Sequence, residues 1–492
     1  MRREPCVIIS RNVEGAGLRR GGLDGDRLRG GRQPVYWRQY SFQAERTCSD
    51  GGQARSGMTV LPAREAVRSA SRTLLSVHHW KMRIVLWSAG AAVGAAAVGF
   101  ALLADTAQAI FRRVHGRFPL WSWIVAPVGF AGISWLTRRF FRGAEGSGIP
   151  QTIFALRPDS GEKGSLLLTP KVVAGRVLLA GAALLSGASI GREGPTVHVG
   201  AAVARYFGRW MPHSAQLAHR RALVLAGGAA GVAAAFNTPL AGIVFAIEEL
   251  SRSFEERASG VALTAVILAG VISIALTGDY TYFGQPVVAA ASRGVSVGVL
   301  TVAVTGGLAG GIFSRTTLLG VGWVRAYLAG AHRARPIMLA ALLGLLVAAL
   351  GFFCGDLTYG TGYSEARTIL EGQTHLPWYY APARALATLA AYLSGVPAGL
   401  LAPSLSVGAG LGQAVADFLG QATAVPFAII GMCGYLAGVT QAPLTSLVIV
   451  MEMTTGHELV LPLMVSATVA TATSKLFSPP LYQALAQERY TS

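Results

Sequence analysis

The stretch Gly191-Arg192-Glu193-Gly194-Pro195 sets a carboxylate between glycines and ahead of a proline, in otherwise almost continuously apolar surroundings. A charge at the centre of a bilayer costs roughly 2.5–3.5 kcal/mol on insertion scales, so an intramembrane Glu193 marks an ion or proton pathway. The flanking residues suit a helix that begins in mid-membrane with bare N–H groups facing a ligand. The bland alternative is a structural Glu193 paired with Arg192.

Around this stretch, the 492-residue chain is 52% hydrophobic and 13% charged, with mean hydropathy +0.47. Soluble domains carry about 25% charged residues, so the composition indicates a polytopic membrane protein. The net charge of +18 does not indicate nucleic-acid binding. Much of it lies before residue 82 and in short loops, where arginine sets membrane orientation, and no nucleic-acid-reading module accompanies it. Cys6, Cys48, Cys354 and Cys433 show no metal spacing, and the nine histidines form no paired ligand motif. No metal or cofactor is expected, and no nucleophile–base set suggests an enzyme.

Residues 1–82 read as a basic, disordered cytoplasmic tail, with Met58 an alternative start. From 83 to 487 apolar segments follow one another, and 488–492 form a short tail. Segments near 83–104, 119–137, 261–277, 291–312 and 337–353 are long enough to span. Those near 147–156, 193–206, 239–250, 401–415 and 443–454 fall short of the roughly 20 residues a span needs and are expected to be half-helices inside the protein.

An internal repeat organises these segments into halves of about 83–277 and 291–475. An offset of 204 sets Pro239-Leu240 on Pro443-Leu444, Gly227 on Gly431 and Glu248 on Glu452. Two halves that each contribute broken helices predict a central site at their interface.

Three segments share one construction: Gly146-Ser147-Gly148-Ile149-Pro150, Gly191 to Pro195, and Gly399-Leu400-Leu401-Ala402-Pro403. Glycine admits close backbone approach, and proline in the first turn starts a helix without wasting a donor. A helix N-terminus carries about half a positive charge and unpaired N–H groups. Three aimed at one point would bind an anion without a buried lysine or arginine.

With these motifs the chain resembles the CLC family of chloride channels and proton-coupled chloride transporters. Gly146 to Pro150, Gly191 to Pro195, the run Gly231 to Gly242 and Pro480-Leu481-Tyr482 carry the resemblance, over roughly residues 83–487. It implies an all-α polytopic fold of two inverted halves whose broken helices converge on an anion site, closed by a C-terminal tyrosine helix at 478–487. It also implies a homodimer in a bacterial inner membrane, with one pathway per subunit, and no cytoplasmic nucleotide-binding domains. The Ser147 hydroxyl, the Tyr482 phenol and the Leu400 and Leu401 N–H groups become the anion's donors. The family's usual phenylalanine is Leu401 here, and serine at 147 points to chloride.

Glu193 resembles the family's external gating glutamate. The adjacent Glu248 and Glu249 point about 100° apart on an α-helix, so their roles should differ. Glu248 has a repeat partner in Glu452, which suggests a structural cap and leaves it a secondary proton-path candidate. Glu249 faces Met453 in the other copy and is the candidate internal proton acceptor. Two acidic positions of some bacterial relatives are Gln151 and Ile153 here, and His198 is a possible further titrating group. The implied function is chloride–proton antiport across the bilayer; the alternative is a passive chloride channel on the same scaffold.

Overall fold

The computed structural model describes residues 77–490, apart from 212, 252–255, 279–282, 284–294, 331, 333, 422 and 455–456. All belong to the compact unit Ala66–Ser492. The tail expected to be disordered lies outside these residues except at its end. A 41-residue helix already begins at Val77, six residues before the boundary read from hydropathy. Nothing between 77 and 83 breaks a helix, so the backbone continues past the hydropathy boundary. Arg83 lies over the Trp80 ring at 5.7 Å. The last helix, Leu481–Tyr490, likewise runs past 487 into the expected tail.

Among the described residues the regular secondary structure is helical, apart from an isolated antiparallel bridge between Gly191 and Gly399. Among the described residues four helices are long and apolar enough to cross a membrane, Trp80–Arg117, Pro119–Phe140, Val297–Leu328 and Arg335–Phe353, and the bent pair Pro158–Leu167 and Pro170–Leu185 would make a fifth span if taken as one. Leu120, Val128, Phe353, Leu461 and Leu476 are each at least 66% exposed, as lipid-facing side chains are. The protein is a multi-pass integral membrane protein.

The short segments are short helices: Ile149–Leu156, Glu193–Phe207, Pro239–Phe245, Leu401–Phe418 and Pro443–Thr454. One departs from its expected form. The helix from Pro239 stays α only to Phe245 and continues as a π-turn from Ala246 to Ser251, the segment that carries both glutamates. Such bulges interrupt α-helices mostly at functional positions.

Element order repeats between the halves. Val77–Arg117, Ser122–Phe140, Ile149–Leu156, Pro170–Leu185, Glu193–Phe207, His213–Phe236, Pro239–Phe245 and Glu256–Thr277 form the first series. Val295–Leu328, Arg335–Phe353, Tyr363–Leu370, Tyr380–Leu393, Leu401–Phe418, Val425–Thr440, Pro443–Thr454 and Val460–Lys475 follow in the same sequence. Within each half, glycines bring equivalent helices into backbone contact. A Cβ on Gly200 would meet the Gly227 carbonyl, and one on Gly408 would meet that of Gly431. Small residues at such crossings are how membrane helices pack without a hydrophobic drive.

The contacts between the halves are reciprocal. Glu248 accepts from the N–H groups of Leu444 (3.1 Å) and Thr445 (2.6 Å), at the start of the second-half helix. Glu452 accepts from Leu240 (3.2 Å) and Ala241 (2.7 Å), at the start of its first-half equivalent. The Gly191 N–H donates to the Gly399 carbonyl (2.7 Å), and the Gly399 N–H returns the bond (3.1 Å). Equivalent residues that exchange equivalent contacts define a two-fold relation. The central site is built on this relation.

Candidate functional site

The three Gly-Pro segments meet. Gly146 accepts from the Ala398 N–H at 3.2 Å and donates to the Val396 carbonyl at 3.3 Å, while Gly191 and Gly399 form their bridge. Substitution at the crossing is blocked on every side. A Cβ on Gly194 would strike Ser147, one on Gly399 the Gly191 carbonyl, and one on Gly191 the Glu193 carboxylate. Gly148 caps the Ile149–Leu156 helix at φ +97°, a left-handed conformation that glycine adopts at no steric cost. Its N–H is taken by Gln151 Oε1 at 3.0 Å, and Gln151 Nε2 braces the Glu145 carbonyl at 2.6 Å. Gln151 therefore ties the loop together, and Ile153 is buried in the core. Pro150, Pro195 and Pro403 each fall within the first three residues of their helices, where the missing N–H has no intrahelical acceptor to lose.

Two fully buried arginines hold the loops from behind. Arg176 donates to the carbonyls of Gly146 (2.7 Å), Gly143 (3.0 Å) and Glu145 (3.4 Å). Arg384 donates to Gly360 (2.6 Å), Leu357 (2.8 Å) and Tyr359 (3.4 Å). Every carbonyl in the second set lies 214 positions beyond its counterpart in the first. Gly360-Thr361-Gly362-Tyr363 is therefore the second-half equivalent of Gly146-Ser147-Gly148-Ile149. The backbone agrees: φ is +73° and +97° at Gly146 and Gly148, +72° and +87° at Gly360 and Gly362.

Glu193 is fully buried at the first position of its helix. Its carboxylate reaches beyond its own helix start. Oε2 accepts from the Ala402 N–H at 3.3 Å, in the first turn of Leu401–Phe418. Oε1 accepts from the Tyr363 hydroxyl at 2.7 Å. Arg192 turns outward to Asp105 (2.7 Å) and to the Ala101 carbonyl (3.0 Å), with its guanidinium 5.9 Å from the Tyr363 ring centroid. The acid thus sits on a helix N-terminus of the other half.

Ser147 Oγ and the Tyr482 hydroxyl are buried neighbours, and neither makes a hydrogen bond of normal geometry among the described residues. Leu400 and Leu401 are buried at the N-cap and first position of the Leu401–Phe418 helix. Glu249 is 1% exposed in the π-turn. Its carbonyl accepts from Gln483 Nε2 at 2.8 Å, beside Tyr482 on the last helix. Glu193 and Glu249 both lie within electrostatic range of the Tyr482 hydroxyl. Glu248 faces away from this line and caps Pro443–Thr454. His198 is buried beside Gly148 and Arg176, behind the loop.

Four residues at the site had no place in the sequence reading: Tyr363, Arg176, Arg384 and Asp105. A second glycine pair spaced as in Gly146 and Gly148, at 360 and 362, would have found Tyr363. Arg176 and Arg384 share the 208-residue offset that relates Gly191 to Gly399. The pairing of Arg192 with Asp105 crosses between helices and leaves no spacing signal.

A family model described as voltage gated chloride channel matches residues 129–475. The fold is similar to the crystal structure of a slow cyanobacterial Cl−/H+ antiporter, with TM-score 0.70, 25% identity, and coverage of 84% of this chain and 98% of that one. A CLC-type fluoride/proton antiporter matches with TM-score 0.71 at 21% identity, over 83% of this chain and 98% of its own. A eukaryotic CLC transporter matches with TM-score 0.67 at 20% identity, over 83% and 74%. The latter two matches carry the fold alone. The family model covers well over half of the sequence, and the chain belongs to the voltage-gated chloride channel (CLC) family.

Proposed function

We propose that the protein is a proton-coupled chloride antiporter. The observation that carries this reading is the seat of Glu193: its carboxylate occupies a helix N-terminus whose N–H groups suit an anion equally well. Chloride and the carboxylate therefore compete for one position. A proton removes the charge that holds the acid there, the side chain swings away, and chloride takes its place. When the acid later gives its proton up toward the opposite side and returns to its seat, it displaces the chloride, so that the two ions have moved in opposite directions.

The rest of the line fits this cycle. Ser147 Oγ and the Tyr482 hydroxyl are buried donors with no fixed charge, so they can ligate chloride and still release it. The Leu400 and Leu401 N–H groups lie at the same helix start. Glu249, beside Tyr482, passes protons between the other face and Glu193. The resemblance to the Cl−/H+ antiporter and the serine at 147 favour chloride as the anion. The reading includes a homodimer in a bacterial inner membrane, each subunit with its own pathway.

The test is the reversal potential of purified protein in liposomes under opposed chloride and pH gradients. An antiporter shifts with the pH gradient, and Glu193→Gln is expected to abolish that shift while chloride still crosses. A reversal potential set by chloride alone in the parent protein would convert the reading to a passive channel.

A further inference from the structure

We infer that Tyr363 is a latch on the gate: its hydroxyl holds the Glu193 carboxylate in the anion pocket and sets how readily a proton frees it. This rests on the reading of Glu193 as the gate and adds a positioning residue to it.

The phenol makes the shorter of the two bonds to the carboxylate, 2.7 Å against 3.3 Å from the Ala402 N–H. Both donors belong to the second half, whereas the acid belongs to the first. Tyr363 is itself held firmly. Arg384 and two left-handed glycines fix the loop before it. Gln108 Oε1 accepts from the Thr361 N–H (3.3 Å) and hydroxyl (3.2 Å). Arg112 reaches Ser364 (2.5 Å) and Glu365 (3.1 Å), one turn further along the same long helix. The ring lies between Arg192 at 5.9 Å and Phe283 at 5.7 Å. The hydroxyl therefore stays where it is when the carboxylate leaves, and departure costs the acid this bond.

The fold does not require a hydroxyl at this position. Ile149 occupies the equivalent place in the first half, on the same clamp and the same glycine pair. In that half the polar side chain is one residue inside the glycine pair, at Ser147. Its equivalent, Thr361, gives its hydroxyl to Gln108. The two loops thus present different groups: a hydroxyl near Tyr482 from the first, a hydroxyl on the gate from the second.

A hydrogen bond to a carboxylate favours its charged form. Without the phenol, a proton should displace the acid at higher pH. Chloride efflux from liposomes is measured against pH for the parent, Tyr363→Phe, Glu193→Ala and the double variant. Tyr363→Phe is expected to move the acid-activated midpoint upward by roughly one pH unit, equivalent to about tenfold in proton affinity. Glu193→Ala is expected to lose the pH dependence, and adding Tyr363→Phe to it should change efflux by less than about twofold, since little coupling remains once one partner is gone. A midpoint unchanged in Tyr363→Phe, with efflux merely lower at every pH, would make the tyrosine structural and overturn the latch. So would an equal effect of Tyr363→Phe with and without Glu193. If Glu193→Ala keeps its pH dependence, the gate reading fails first and the latch falls with it.

Discussion

The loops Gly146 to Ile149 and Gly360 to Tyr363 have the same backbone and the same arginine clamp, yet they carry different chemistry. In the first, Ser147 Oγ lies beside Tyr482 and makes no hydrogen bond of normal geometry among the described residues. In the second, Thr361 is tied to Gln108 and Tyr363 reaches Glu193. The comparison separates two demands on the sequence. The glycines and the buried arginine recur in both loops because they build a crossing of backbones. On the antiport reading proposed above, the side chains that break the repeat serve the ion path.

The sharpest break is Glu249 against Met453, and it gives the largest expected effect. Glu249→Gln should reduce proton movement to background while chloride movement persists, whereas Met453→Gln should leave both in place. Paired pH and chloride recordings from the same liposomes check this. Proton pumping that survives Glu249→Gln would place the inner proton acceptor elsewhere, with Glu248 the next candidate.

Next come the clamps. Removing Arg176 or Arg384 takes a charged donor from three loop carbonyls, although those of Gly146 and Glu145 keep the Ala398 N–H and Gln151 Nε2, so Arg176→Met and Arg384→Met should each cost about 3 kcal/mol. Thermal unfolding in detergent measures the loss. Comparable losses would mean the two loops are mechanically equivalent; one harmless substitution would show that the repeat is only a likeness of trace.

The smallest effect belongs to the exchanged caps. Glu248→Gln and Glu452→Gln each weaken two charge-assisted bonds to a helix start and should cost about 1 kcal/mol apiece. Their chloride–proton coupling ratio should equal the parent's in the reversal-potential assay. A changed ratio in Glu248→Gln alone would return that residue to the proton path.

Much of this was legible in the chain. Glycine and proline around Glu193 announced a helix starting within an apolar stretch, because they favour close backbone approach and a first turn that wastes no donor. The pairing of Glu248 with Glu452 announced a structural role, because a repeat keeps what its frame needs. Tyr363 was hidden because the second loop lacks the proline that marks its partner, and its offset of 214 differs from the 204 that aligns the downstream helices. The start at Val77 was missed because hydropathy reports where the bilayer begins. A helix of 41 residues runs roughly 60 Å, about twice the hydrocarbon thickness. That surplus carries Gln108, Arg112 and His115 to the loop around Tyr363, with His115 on Asp356 at 2.8 Å.

The exchange of caps between Glu248 and Glu452 has a mechanical side. Were the two halves to tilt apart, four amide groups would lose their acceptors, and the Gly191–Gly399 bridge would part with them. Such a seam resists rocking. On the antiport reading proposed above, cargo would then cross by the swing of single side chains rather than by a rocking of the halves.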